Sequence, residues 1–92
     1  MDAYPTEEEL LRIEKWPYDD CRGLFDFIEP LWINYGRILR PNPDTFDLAT
    51  GGWSGNEDII QAMRKNVMFW SICWQLSERG GRYVFEVKDL KR

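Results

Sequence analysis

The chain has 92 residues, sixteen acids against twelve bases for a net charge of −4, and no histidine. That length fits one small domain. The missing imidazole excludes a Ser-His-Asp triad, a Cys-His pair and a histidine general base, and with two cysteines it leaves no zinc ligand set. The acidic balance speaks against non-specific nucleic-acid binding, which needs a basic footprint.

The charge is uneven. Residues 1–30 carry a net −6 and residues 31–92 a net +2. An acidic front end suits docking onto a basic partner surface, although such charge is commonly a solvated helix face. Fourteen aromatic residues (five Trp, five Phe, four Tyr) supply a core, since each buried ring removes about 150–250 Å² from water. Cys21 and Cys73 lie far apart among apolar neighbours and read as reduced, buried thiols rather than a disulfide framework. The start Met1-Asp2-Ala3-Tyr4 has no basic-then-apolar signal pattern. No run approaches the ~20 apolar residues of a membrane span. The expectation is a cytoplasmic protein.

In chain order, Thr6 with Glu9 spells a capping box, and Glu7 and Glu8 suit the positive end of the helix it opens. Trp16-Pro17 ends that helix, because a residue before proline avoids the α region. Asp19 or Asp20 caps a second helix whose apolar face is Cys21, Leu24, Phe25 and Ile28. Pro30 stops or kinks it. Residues 31–35 read equally as a last helical turn or as the approach to a strand. Residues 37–40 are short and extended, and Pro41-Asn42-Pro43-Asp44 is a turn by composition. Residues 45–49 alternate apolar and polar as a half-buried strand does. Thr50-Gly51-Gly52-Trp53-Ser54-Gly55-Asn56-Glu57 is then a shaped loop feeding a helix. Ser54 and Glu57 have capping-box spacing, and Trp53 is expected to fold back over the helix start. Arg64 and Lys65 suit the last turn, and Asn66 its end.

Residues 67–76 read two ways. As a strand, Trp70, Ile72, Trp74 and Leu76 share one face. As a continuation of the helix, Ile60, Met63, Val67, Trp70 and Trp74 form a stripe, and Gly80 ends it. The aromatic and β-branched content favours the strand. A hairpin turn at Arg79-Gly80-Gly81-Arg82 then leads into the strand 83–87, and 88–92 is a charged tail that frays. The expected fold is α+β: one domain, helices on one face of a short antiparallel sheet, ending in a hairpin over residues 67–87. Its acidic helical part spans 1–35, and 36–92 hold the strands, the helix from Ser54 and the hairpin.

Candidate binding residues are Gly51, Gly52, Trp53, Ser54, Asn56 and Glu57 in the loop, with Arg79, Arg82 and Tyr83 at the hairpin. Glycines next to a helix start let backbone N–H groups meet an anion or a partner. The loop lacks the Lys and spacing of a phosphate-binding Walker loop and matches no dinucleotide fingerprint. Gly81-Arg82-Tyr83-Val84-Phe85 faintly echoes the aromatic strand of RNA-recognition domains, with the order wrong. No catalytic residue, metal site or cofactor is expected. A small-molecule or anion-binding protein, or an enzyme, using loop 50–57 is the alternative to a protein-binding role.

Thr50-Gly51-Gly52-Trp53-Ser54-Gly55-Asn56-Glu57, then Asn66, Phe69-Trp70, Trp74, Ser77, Arg79-Gly80-Gly81, Tyr83 and Phe85-Glu86, resembles a group of small uncharacterised proteins encoded by bacteriophages and prophages. The likeness covers residues 50–87 and leaves out the acidic half. It implies a phage-type accessory protein of the bacterial host cytoplasm. Such proteins often bind and block host machinery, CRISPR–Cas defence included. On that analogy the expected partner is a host protein, with a basic surface such as that of a nucleic-acid-handling complex. A homodimer through exposed aromatics is the other expectation for a partner.

Overall fold

A computed structural model describes residues 4–33 and 36–87. Helix α1 (Glu7–Glu14) begins as its sequence spells: Thr6 Oγ1 accepts from Glu9 N, and Glu9 reaches back to Thr6 N. Helix α2 (Cys21–Ile28) is capped by Asp20, whose carboxylate accepts from Gly23 N. Pro30 falls in a single 3₁₀ turn, Glu29–Leu31, that closes the helical lead. The expected ambiguity over residues 31–35 resolves to helix at Leu31, while 34 and 35 lie outside the described residues, as does the tail expected at 88–92.

Strands β1 (Arg37–Asn42) and β2 (Thr45–Ala49) form the first hairpin. Arg22 of α2 clips its turn, donating to Pro43 O at 3.0 Å and pairing with Asp44. Helix α3 (Ser54–Lys65) follows. Asn66 then does two things. It ends α3, and its side chain caps a separate helix, α4 (Val67–Cys73), by accepting from Phe69 N. Strands β3 (Trp74–Glu78) and β4 (Arg82–Glu86) complete the chain as a second hairpin.

The strand expected over 67–76 is therefore helical as far as Cys73, and the hairpin runs from Trp74 rather than from Val67. Helix spacing sends Phe69 and Cys73 together into the core, which local β-preference does not foresee. The continuous helix is equally absent, since Asn66 interrupts it and Gly80 and Gly81 sit in the hairpin turn at φ 89° and 87°.

The four strands make one antiparallel sheet in the order β1-β2-β4-β3. Phe46 and Leu48 on β2 and Phe85 on β4 are buried in the same cluster as Ile13, Leu24, Phe25, Ile28, Ile59, Ile60, Met63 and Phe69 from the helices. Phe25 stacks on Phe46 at 4.1 Å and meets Phe69 and Phe85 edge-on or tilted. Successive residues of a strand point to opposite faces. The other face therefore carries Leu39, Asp47, Val84 and Leu76 in one row across the sheet, and Ala49, Arg82 and Glu78 beside it. The chain is one small α+β unit with its helical layer on the aromatic face of the sheet, as composition and periodicity lead one to expect. Among the described residues no helix is long and apolar enough to cross a membrane.

Candidate functional site

Loop 50–57 is held from below by Thr50 and Asn56. Thr50 is buried, and its N–H donates to Gly81 O at 3.0 Å, joining the loop to the β3–β4 turn. The contact is close enough that a Cβ at Gly81 would collide with Thr50 Oγ1. Thr50 Oγ1 also accepts from Gly52 N at 3.3 Å, a turn that the positive φ of Gly51 and Gly52 permits.

Asn56 is fully buried one turn into α3. Its Nδ2 donates to Ile33 O at 2.7 Å and Thr50 O at 3.0 Å, and its Oδ1 accepts from Ile33 N at 3.3 Å. The Trp32 indole N–H donates to Arg37 O and Ala49 O at 3.2 and 3.0 Å. A side chain at Gly36 would collide with Asn56 Nδ2. These groups satisfy one another in a place where an unpaired polar group is costly. Asn56 is thus a structural tie between the loop and the segment before β1, with its hydrogen-bonding capacity spent inside the protein.

Trp53, not Ser54, is the cap residue of α3, and no side chain closes that helix start. The capping box expected at Ser54 and Glu57 does not form. Ser54 is the first helical residue, and its hydroxyl lies 3.1 Å from Tyr4 Oη. Glu57 stands 3.5 Å from Thr50 Oγ1. The Trp53 ring folds back over Gly55, where any Cβ would collide with it, and Tyr4 covers it at 5.0 Å. Trp53 is buried, as the sequence reading of its role requires, with its indole N–H lacking a partner among the described residues.

The three hairpin residues separate. Arg79 is exposed in the turn. Arg82 forms a two-pronged pair with Asp47 at 3.1 and 2.9 Å and a further bond to Glu78 at 2.9 Å. Asp47 first, then Glu78, raises its already high pKa, so this cation is engaged within the sheet rather than offered to an anion. Tyr83 lies on the helix side, 6.3 Å from Trp70. Phe85 is fully buried. The likeness to an RNA-recognition strand fails here, because stacking on bases needs those rings on an open face.

The fold therefore joins Gly51, Gly52, Trp53, Ser54, Asn56 and Glu57 to the β3–β4 turn, and leaves Arg82 and Tyr83 on opposite faces of the sheet. Among the described residues there is no group of three or more Cys, Asp or Glu placed to hold a metal ion. A shallow open groove of about 430 Å³ lies elsewhere, lined by Glu8, Leu11, Arg12, Lys15, Trp16, Pro17 and Asp20. None of the sequence-predicted site residues lines it. Its Trp16 indole N–H is already spent on Asp20 O, 3.0 Å away, and Arg12 lies over the Phe27 ring at 4.7 Å.

What sequence reasoning missed is a set of exposed apolar side chains, two at the start of α4 and two on β3. Val67, Met68, Trp74 and Leu76 are 66%, 53%, 40% and 38% exposed. Reading 67–76 as a single strand hid it by assigning the whole run to a half-buried sheet. Trp74 stacks on Trp70 on the helix side, whereas Leu76 pairs with Val84 on the open face. No protein-family model matches the chain, and no solved structure matches it.

Proposed function

We propose that the protein is a non-enzymatic interaction module that binds a host protein through the free edge of β3. The observation that carries this reading is the contrast between the two edges of the sheet. Strand β1 presents Arg37, Arg40 and Pro41, and its register with β2 breaks between Leu39 and Asn42. Positive charge, proline and irregular pairing are the devices by which proteins discourage strand addition. Strand β3 has no Lys, Arg or Pro, and all five of its residues are exposed. Its own irregularity falls between Trp74 and Leu76, ahead of the regularly paired stretch that ends at Glu78.

Such an edge takes an extended segment of a partner as a fifth strand. Main-chain hydrogen bonds supply affinity, and side chains beside Leu76 supply selectivity. Exposed Trp and Leu are suited to this, because desolvated apolar anchors dominate most interfaces. The exposed acids Glu7, Glu8 and Asp19 favour a partner whose surroundings are basic, and they speed encounter with it. The likeness of residues 50–87 to phage and prophage proteins supports a bacterial host protein, acting in the cytoplasm, with nucleic-acid-handling defence machinery as the class to search first.

The test is site-specific photo-cross-linking in bacterial cells, with the reactive residue placed at Leu76 or, on the opposite edge, at Leu39. The reading expects a discrete cross-linked host protein from position 76 alone, with recovery falling at least tenfold in a Leu76→Lys pull-down. Equal yields from both edges would contradict it. So would cross-links only between copies of the chain, or capture lost only when Glu7, Glu8, Asp19 and Asp20 are neutralised.

A further inference from the structure

Cys21 is the first residue of α2 and Cys73 the last of α4. Both are buried, and the fold sets their sulfurs 3.1 Å apart across 52 positions of sequence. Cys21 Sγ also donates to Tyr18 O at 3.2 Å. Nothing in the proposed binding edge uses either thiol. We propose that Cys21 and Cys73 are a disulfide-forming site, oxidised by a small-molecule disulfide of the glutathione class to a cross-link between the start of α2 and the α4–β3 junction.

The chemistry balances as two exchanges. One cysteine thiolate attacks the S–S bond of the reagent, forming a mixed disulfide and expelling one reagent thiolate. The other cysteine's thiolate attacks the protein sulfur of that mixed disulfide, forming the Cys21–Cys73 bond and expelling the second reagent thiolate. The two cysteines give up two protons and two electrons, and the reagent leaves as two thiols. The fold prepares the second exchange. With the sulfurs already at 3.1 Å, reaching the ~2.05 Å of an S–S bond takes a movement of roughly 1 Å.

Burial sets the rate. The contact with Cys73, and then desolvation, hold the Cys21 thiol protonated well above its usual range. A neutral, buried thiol attacks slowly. The first exchange therefore waits on a local opening that exposes one of the two sulfurs, and quickens as pH rises. The oxidised protein resists unfolding more than the reduced one, because a cross-link spanning a long loop removes conformations from the unfolded chain.

The experiment uses the full chain. Reduced protein is held with excess oxidised glutathione under native conditions, then quenched with an alkylating agent in denaturant. The expected product is monomeric, has lost the mass of two hydrogen atoms, takes up no alkyl group, and yields one linked peptide pair bearing Cys21 and Cys73. Its thermal midpoint rises by roughly 10 °C and returns on reduction. Cys73→Ala should instead stop at a single glutathione adduct. If that variant does not fold, the wild-type peptide map decides alone. Two alkylated thiols at equilibrium, a stable double adduct, intermolecular dimers, or an oxidised form with a lowered midpoint would each overturn the proposal.

Discussion

Ser54 and Asn56 are two residues apart, and sequence gives them similar claims to a binding loop, yet their environments are opposite. Ser54 is exposed, and its hydroxyl meets Tyr4 rather than the α3 backbone. Ser54→Ala should therefore cost less than about 0.5 kcal/mol in a thermal or urea melt, below the ~0.5–2 kcal/mol of a lost cap. Asn56→Ala removes three bonds and strands the Ile33 and Thr50 backbone groups. Each orphaned group costs about 1–3 kcal/mol, so a loss of roughly 3 kcal/mol or more is expected from the same measurement. Cys21 gives a pH signature. Its folded-state pKa lies above the ordinary 9.0, so the stability it contributes is complete below pH 9 and declines as pH rises further. With reductant present, that one group makes the unfolding free energy fall as pH rises above this point. Urea melts at a series of alkaline pH values should show the extra slope in wild type and its absence in Cys21→Ala.

At the scale of elements, legibility followed the range of the interactions. The Thr6–Glu9 box and the Asp20 cap are written in adjacent residues and form as written, because both partners of each bond lie within one turn. Ser54 and Glu57 have the same spacing without the bond, because α3 starts one residue earlier, with Trp53 as cap and Glu57 N donating to Trp53 O at 3.1 Å. Strand β2 was legible from its alternation, since one face meets a core and the other solvent. Residues 67–73 were not. Their β-favouring side chains become helical because Asn66 offers a cap and because Phe69 and Cys73 fill the core one turn apart. Asn66 also donates to Ile13 O at 3.0 Å and Trp16 O at 2.9 Å, tying the end of α1 to α4. Asn66→Ala should cost roughly 2–4 kcal/mol. Hydrogen exchange should show the loss first as faster exchange in α4, where the cap disappears.

For the molecule as a whole, the α+β class was legible in the sequence, and the exposed edge of the sheet was not. Alternating strands, capped helices and four buried phenylalanines are local patterns whose sum is a two-layer domain. The glycine loop looked functional because glycines beside a helix start are shared by binding loops and by tight structural corners. Only the contacts of Thr50, Asn56 and Gly81 reveal a corner. The exposed edge of β3 depends on strand order, which no single segment encodes. Substituting Leu76 should disturb the fold little, because its side chain is 38% exposed and lies outside the buried core. Leu76→Lys should keep the unfolding free energy within about 0.5 kcal/mol of wild type. That separates recognition from stability and makes the variant a clean probe.

The most direct measurement of the proposed role is the backbone amide exchange of β3 with and without the protein that the Leu76 cross-link recovers. Strand addition predicts that amides within residues 74–78 slow at least tenfold on binding, that those of β1 stay unchanged, and that Leu76→Lys abolishes the effect. Protection confined to α1, to β1 or to loop 50–57, with β3 exchanging as in the free protein, would contradict it.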